Sequence, residues 1–348
     1  MTTRWWLVMR KYPPSVGGME RLSWEVTQRL GAVRPLEVIA NVRQRLLPWF
    51  VLTAATRLAA ACVRRRVGLL HLGDPVLAPL AVVARALGVP TIVTLHGLDI
   101  VHPHPLYRAW RALFLRRFDA YVCISESARA AAVDAGLPPE RLHVIGIGVD
   151  VPPPSSTDAV RDAATLLFIG RLVRRKGLAW FVGDVLPSVA RRYPDVKLVI
   201  LGDGPERDTV VEAARGGGVE RALLWPPRDE ANKAAWLARA SVCVMPNVRV
   251  AGDMEGFGIV ALEAAAAGCP LLASDLEGLK DAVADGESGT LVPPADAAAW
   301  IASVDDVLAR PREAQRMSRD ARAFVGSGRG WDRVIDAYCT LFDAVAAG

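Results

Sequence analysis

The sequence predicts an α/β chain built from two Rossmann-like domains in tandem, each a parallel sheet covered by helices. Three observations predict it. Short apolar runs alternate with stretches of helical period, the pattern of a parallel sheet with helical crossovers. The rhythm is interrupted once, at Gly148 to Ser156, where Pro152-Pro153-Pro154 and paired serines form a stiff linker, and then it starts again. A length of 348 residues with 52% apolar composition is enough for two cores. With two such domains in tandem, the expected ligand site is the cleft between facing strand ends.

The first half reads as strands at Trp5–Met9, Leu36–Ala40, Leu69–Leu72, Thr91–Leu95, Ala120–Ile124 and Leu142–Ile145. Helical patterns lie between them near 19–30, 50–65, 76–87, 105–117 and 126–135. In the second half strands are expected at 165–169, 196–201, 222–225, 242–245, 270–273 and 289–292. After Pro293-Pro294 the chain is mostly helical, at about 296–309, 312–324 and 331–346. The domains are therefore placed at 1–150 and 151–330, with 331–348 a helix that packs back toward the first domain. No sequence repeat occurs at a fixed period, which excludes a solenoid or propeller array.

Charge is unevenly spread. Residues 1–155 hold 19 Lys/Arg against 10 Asp/Glu, whereas residues 156–348 hold 23 against 27, so a basic half (+9) precedes an acidic one (−4). A basic first half suits an anionic membrane surface or a phosphorylated acceptor. Nucleic acid is the weaker reading, because no nucleic-acid motif accompanies the charge. The five cysteines are far apart without a C-x-x-C pair and lie among apolar neighbours, the usage of reduced core residues in a cytosolic protein. Arg10 and Lys11 cut short the apolar run Trp5 to Met9, so no secretory leader is expected, and Pro48 and Arg57 interrupt the apolar stretch Leu46 to Val63. His102 and His104 lack carboxylate or thiol companions at metal spacing, so no metal site is expected.

The chemistry concentrates in four places. Glu255 and Glu263 stand eight positions apart, around Gly256-Phe257-Gly258-Ile259. The glycines suit an irregular turn, and Ile259 to Ala267 reads as a buried helix. Such a turn leaves the first helical N–H groups open to anionic oxygens, while the two carboxylates can accept hydrogen bonds from vicinal hydroxyls. That combination suits a ligand with a sugar or ribose at each end and phosphates between. Upstream, Gly170-Arg171-Leu172-Val173-Arg174-Arg175-Lys176-Gly177 follows the apolar strand 165–169, where α/β sheets place ligands. Arg171 and Lys176 would bracket a diphosphate, one as a fork and one as a point charge, with Arg174 and Arg175 solvated. Leu201-Gly202-Asp203-Gly204-Pro205 lacks the third glycine of a dinucleotide fingerprint and reads either as a glycine turn at a cleft edge or as a purely structural turn. Finally, Tyr107 to Arg117 mixes aromatic and basic residues at helical spacing, the pattern either of an interfacial helix or of a domain helix with basic residues on its wet face.

These motifs together resemble the family-4 retaining glycosyltransferases, which have the GT-B architecture of two facing Rossmann-like domains. The resemblance runs through Glu255 to Ala264, residues 170–177, residues 201–205, Gly17-Gly18-Met19-Glu20 and Leu95-His96-Gly97-Leu98-Asp99. It implies that Glu263 holds the ribose of a nucleotide diphosphate sugar. Glu255, with backbone groups of Gly256, Phe257, Gly258 and Ile259, would hold the donor sugar. Arg171 and Lys176 would neutralise the diphosphate, and Gly17 and Gly18 would let backbone approach it. His96 would line the reaction centre, with Asp99 orienting its loop. The implied reaction is hexosyl transfer from a UDP- or GDP-sugar to an acceptor hydroxyl on a lipid, polysaccharide or small metabolite, with retention and without metal or other cofactor. The expected location is the cytosol, with peripheral contact to the inner membrane face. Competing readings are a non-catalytic sugar-nucleotide-binding subunit, and a phosphorylase or sugar-phosphate synthase of the same fold.

The chain departs from the family pattern in three places. Ile147 stands where many relatives carry asparagine, and Leu224-Trp225-Pro226-Pro227 replaces a Phe-x-Gly after the third strand of the second domain. Only about 28 residues separate the second and third strands of the first domain, which implies a small acceptor side.

Overall fold

The computed structural model describes residues 4–15, 17–43, 46–151 and 161–348. The chain forms two compact units, one of Met1–Gly148 with Trp331–Gly348 and one of Val149–Gly330. Most of the expected linker lies outside the described residues.

The first unit carries strands β1 (Arg4–Met9), β2 (Leu36–Ala40), β3 (Val67–Leu72), β4 (Thr91–Leu95), β5 (Ala120–Cys123) and β6 (Leu142–Val144) in the order β2-β1-β3-β4-β5-β6. All pairings are parallel. Leu7, Val8, Leu69, Leu70, Ile92 and Val93 are fully shut off from solvent, as central strands covered on both faces require. One face of the sheet packs on Phe50, Leu58, Leu80 and Phe118. On the terminal helix Trp331–Ala347, Phe342 meets Trp5 edge-on at 5.2 Å and His71 at 5.1 Å.

The second unit carries β7 (Thr165–Ile169), β8 (Lys197–Leu201), β9 (Leu223–Leu224), β10 (Val242–Met245), β11 (Leu271–Ser274) and β12 (Thr290–Val292), in the order β12-β11-β10-β7-β8-β9 and again all parallel. β9 is cut to two residues because Trp225 is followed by Pro226 and Pro227, which have no N–H to give to a ladder. Trp300, held by its indole N–H to the Pro293 carbonyl at 3.2 Å, fills the core beside Phe181.

Both sheets reverse their winding beside their first strand. β1 pairs with β2 and β3, and β7 pairs with β8 and β10. Doubly wound sheets bind ligands at the carboxyl ends of strands at such a reversal. In the second unit those ends run into Gly170-Arg171 and Pro246-Asn247; in the first they run into Arg10-Lys11 and Gly73-Asp74.

Candidate active site

In the second unit the site is assembled by the loop after β7. The Gly170 N–H donates to Leu201 O and the Leu172 N–H to Asp203 O, which ties the loop to the end of β8. Leu172 is buried and anchors it. Arg174–Lys176 then make one 3-10 turn, closed by Gly177 in the left-handed region (φ 65°). A Cβ on Gly177 would collide with the Pro246 carbonyl, so glycine is what lets this turn press against the end of β10. The Val248 N–H donates to Arg175 O at 2.9 Å and completes the seam.

This seam brings Lys176 to Glu255. The ammonium lies 2.5 Å from Glu255 Oε2, and the same oxygen accepts from Asn247 Nδ2 at 2.9 Å. Arg175 Nε lies 3.7 Å from it, and the Arg175 guanidinium also pairs with Asp253 at 3.2 Å. Arg175 is therefore not the solvated residue expected from sequence; the 3-10 turn directs it back over the 253–255 turn. Lys176 and Glu255 are both buried. Burial alone would push the Glu255 carboxyl up, but the charges of Lys176 and Arg175 and the hydrogen bonds from Lys176 and Asn247 hold it below the ordinary range.

The backbone of the 255–258 turn is fixed from below. The Glu255 N–H donates to Glu277 Oε2 at 2.6 Å, and the Gly278 N–H donates to Glu255 O at 3.1 Å. Burial pushes the Glu277 carboxyl up, aided by the Glu255 and Asp253 charges and opposed by the Glu255 N–H and Arg249. Gly258 takes a left-handed conformation (φ 81°) at the head of the helix Ile259–Ala266, and no side chain caps that helix. Phe257 is buried, so only its backbone faces the turn.

Glu263 lies in the second turn of this helix and is buried. Lys233, from the helix Glu230–Arg239, donates to Glu263 Oε1 at 3.0 Å. Cys243 on β10 feels both the Glu263 and Lys176 charges, which places the two ion pairs around the same buried strand. Of the expected donor residues, Arg171 stands apart: it is exposed on the same loop.

Sequence reasoning missed Asn247 and Lys233. Asn247 was signalled by position, because it follows the strand 242–245 at the reversal of the sheet. Lys233 had no local signal; it reaches Glu263 only through the tertiary fold.

His96 and the Gly17-Gly18 pair belong to the first unit. His96 is buried, and its Nε2 contacts Gly73 O at 2.8 Å. Its backbone N–H donates to both Asp99 carboxylate oxygens at 3.0 Å, so Asp99 shapes the loop after β4. Burial pushes the Asp99 carboxyl up, while His96 and local N–H groups oppose this. Asp74, two residues past β3, pairs with Arg10 past β1 at 3.0 Å. Gly17 has extended backbone, and a Cβ there would strike the carboxylate of Glu20, a buried residue paired with Lys11 at 3.3 Å. A Cβ on Gly18 would meet open space, and the helix Gly18–Val33 that it starts has no side-chain cap.

Two parallel six-stranded Rossmann-like units define the GT-B class of architecture, and solved structures of that class share the fold. Anabaena HepE in complex with UDP superposes with a TM-score of 0.79 at 17% identity, covering 98% of this chain and 100% of that one. The sucrose-phosphate synthase of Thermosynechococcus elongatus gives 0.79 at 18% identity, covering 99% and 100%. A family profile described as "Glycosyl transferases group 1" matches residues 163–310, and one described as "Glycosyltransferase Family 4" matches residues 23–152. The chain belongs to the family-4 glycosyltransferases.

Among curated relatives, a glycogen synthase of Mycobacterium tuberculosis is 38% identical over 186 residues, which is 53% of this chain and 44% of that protein. A GDP-mannose-dependent alpha-(1-6)-phosphatidylinositol monomannoside mannosyltransferase of Mycolicibacterium smegmatis is 34% identical over 226 residues, 61% of this chain and 59% of that protein. The chain thus spans about half the length of these relatives.

Proposed function

We propose that the protein transfers a hexosyl unit from a nucleotide diphosphate sugar to an acceptor hydroxyl, with retention at the anomeric carbon. The observation that carries this reading is the buried Lys176–Glu255–Asn247 cluster at the sheet reversal, with Glu263 held on the helix that follows. Similarity to a glycogen synthase and to a mannosyltransferase that uses GDP-mannose supports a sugar-nucleotide donor. The structural neighbours crystallised with UDP and UDP-glucose support the same class.

In this reading the two ion pairs are placeholders. Donor hydroxyls replace Lys176 on Glu255 and Lys233 on Glu263, and the freed ammonium of Lys176 turns to the diphosphate with Arg171. The open N–H groups at the start of helix Ile259–Ala266 add dipolar stabilisation for the leaving phosphate. The acceptor oxygen forms its bond to the anomeric carbon as the carbon–phosphate oxygen bond breaks on the same face. The acceptor proton passes to the departing phosphate oxygen. Arg171 and Lys176 supply the positive charge that a metal ion supplies elsewhere, so the reaction runs without one. In the first unit the His96 ring is fixed on Gly73 O, and Gly18 has open space beside its backbone.

The acceptor side lies in the first unit, whose arginine-bearing helix Pro105–Phe114 has no fully buried residue and exposes Leu106 and Leu113. A helix of this kind suits peripheral attachment to an anionic membrane. Among the described residues no helix is long and apolar enough to cross a membrane.

The test is a thermal-shift screen against uridine, guanosine and adenosine diphosphates and their sugars. Selective stabilisation by one base, rising with ligand concentration, is expected. The absence of any shift up to millimolar ligand would overturn the reading.

A further inference from the structure

Outside the candidate active site, a groove of about 620 Å³ runs in the first unit along the helix Pro105–Phe114 and its 3-10 extension Leu115–Arg117. Arg108, Arg111 and Arg116 line it, with Ala112 and Leu115 between them, and Asp134 supplies the single carboxylate of the lining. The spacing 108, 111, 115 puts Arg108, Arg111 and Leu115 on one helix face, and Arg116 joins the lining from the 3-10 extension.

A second observation is independent of the cavity. Arg111 Nε and Nη1 are shut off from solvent and have no hydrogen-bond acceptor, and the hydroxyl of Tyr107, one turn earlier, is likewise buried and unpaired. The Arg111 guanidinium lies 5.9 Å from the Tyr107 ring centre. Burial pushes the Tyr107 phenol well up, reinforced by the charges of Asp99 and Asp74 and opposed by Arg111 and Arg10, so the hydroxyl stays a donor. Buried donors without acceptors are rare, because each forfeits its hydrogen bonds to water. Here two of them, Arg111 Nε and Nη1, belong to a cation that lines a cavity.

We propose that this groove binds a phosphate ester. A phosphate offers three acceptor oxygens and up to two charges, matching a cluster of forked donors that outnumbers its one carboxylate. Arg108 and Arg116 are the cations exposed in the groove, and Arg111 anchors the ester once its shielded Nε and Nη1 turn toward it. The assignment of the phosphate to the acceptor molecule rests on the transferase reading; the binding itself does not. The ester belongs either to a soluble acceptor or to a lipid headgroup.

The experiment uses the full chain with two probes at matched ionic strength. Inorganic phosphate is titrated against chloride, followed by thermal shift. Phosphatidylinositol vesicles are compared with phosphatidylcholine vesicles by co-sedimentation. The variants are Arg111→Met and the exposed pair Arg108→Gln/Arg116→Gln, which leaves the buried residues untouched. Phosphate binding by the wild type, weakened roughly tenfold or more in both variants and kept in Lys176→Ala, supports a soluble ester. Binding to phosphatidylinositol vesicles alone, lost in the same variants, supports a headgroup. Retention of the nucleotide shift in Arg111→Met separates failure here from failure of the donor site. Equal binding by wild type and variants, or no binding of either probe by the wild type, overturns the proposal.

Discussion

The two units share a plan of six parallel strands with a reversal beside the first strand, and they differ in how their buried charge is met. In the second unit the cations of the site rest on carboxylates, Lys176 on Glu255 and Lys233 on Glu263, although Arg175 Nε and Asn247 Oδ1 are buried without a hydrogen-bond partner. In the first, Arg111 is left with unpaired donors, and His71 is buried with Nδ1 unpaired. A site whose charges satisfy one another is formed before its ligand arrives and binds by exchanging partners. A site with orphaned donors is completed by what it binds. On this comparison the cluster of the second unit is largely preorganised, whereas the groove of the first unit would be completed by what it binds.

The largest effect should follow from Lys176→Ala. If Lys176 turns to the diphosphate as proposed, its loss is expected to slow transfer by about a hundred- to a thousandfold. It should also destabilise the second unit, because the buried Glu255 loses its nearest counter-charge. Arg175 at 3.7 Å limits that loss to about 1–3 kcal/mol. Turnover and denaturant unfolding measured on one preparation check both parts; normal turnover with lowered stability would reduce the pair to a structural ion pair. Gly177→Ala comes next, at about 2–3 kcal/mol, since the left-handed turn and the Pro246 carbonyl both resist a Cβ. Because that turn presents Lys176, nucleotide affinity should fall along with stability.

Glu263→Gln should act on the donor and little on the acceptor. Removal of the charged acceptor for ribose hydroxyls is expected to weaken nucleotide binding by roughly tenfold or more, seen as a rise in donor KM with kcat nearly kept. A fall in kcat at constant KM would instead place Glu263 at the transition state.

Much of the fold was legible because both sheets are buried on two faces, so their strands stand out as unbroken apolar runs. Strand ends moved by at most two residues, and where they moved the cause is local, as with the prolines after Trp225. The candidate site was legible where residues are neighbours in sequence, as in 170–177 and 255–263. It was not legible where the partner comes from another crossover. Nothing near Lys233 points to Glu263, and the basic run 174–176 does not tell a solvated arginine from one folded back onto Asp253. Trp225 was read only as a departure from a motif, yet Arg207 lies over its ring at 4.3 Å, a contact that only the crossover to the helix Arg207–Gly217 creates.

The smallest effect, and the sharpest on the comparison, is the response to mild acid. Burial lowers the His71 pKa from 6.5 to about 3, aided by the His96 charge. The ring contacts Thr94 Oγ1 at 2.8 Å and packs against Tyr338 and Phe342 of the terminal helix, with no carboxylate on it to favour protonation. A depressed folded pKa means that the unfolded chain takes up the proton first. The stabilisation is therefore complete above pH 6.5 and declines as pH falls toward 3, by at most about 1.4 kcal/mol per pH unit. In the second unit the depressed Glu255 carboxyl keeps its contribution above 4.5 and loses it only below. Between these values the first unit should loosen while the second holds. Asp99, pushed up by burial, titrates with the opposite sign, so the readout is the difference between wild type and His71→Gln. Hydrogen exchange at pH 7 and pH 5 should show faster opening of β3, β4 and the helix Trp331–Ala347 in the wild type, and a smaller change in the variant. Equal loss of protection in both units would mean that the acid response belongs to the whole chain and that the contrast in charge pairing does not govern it.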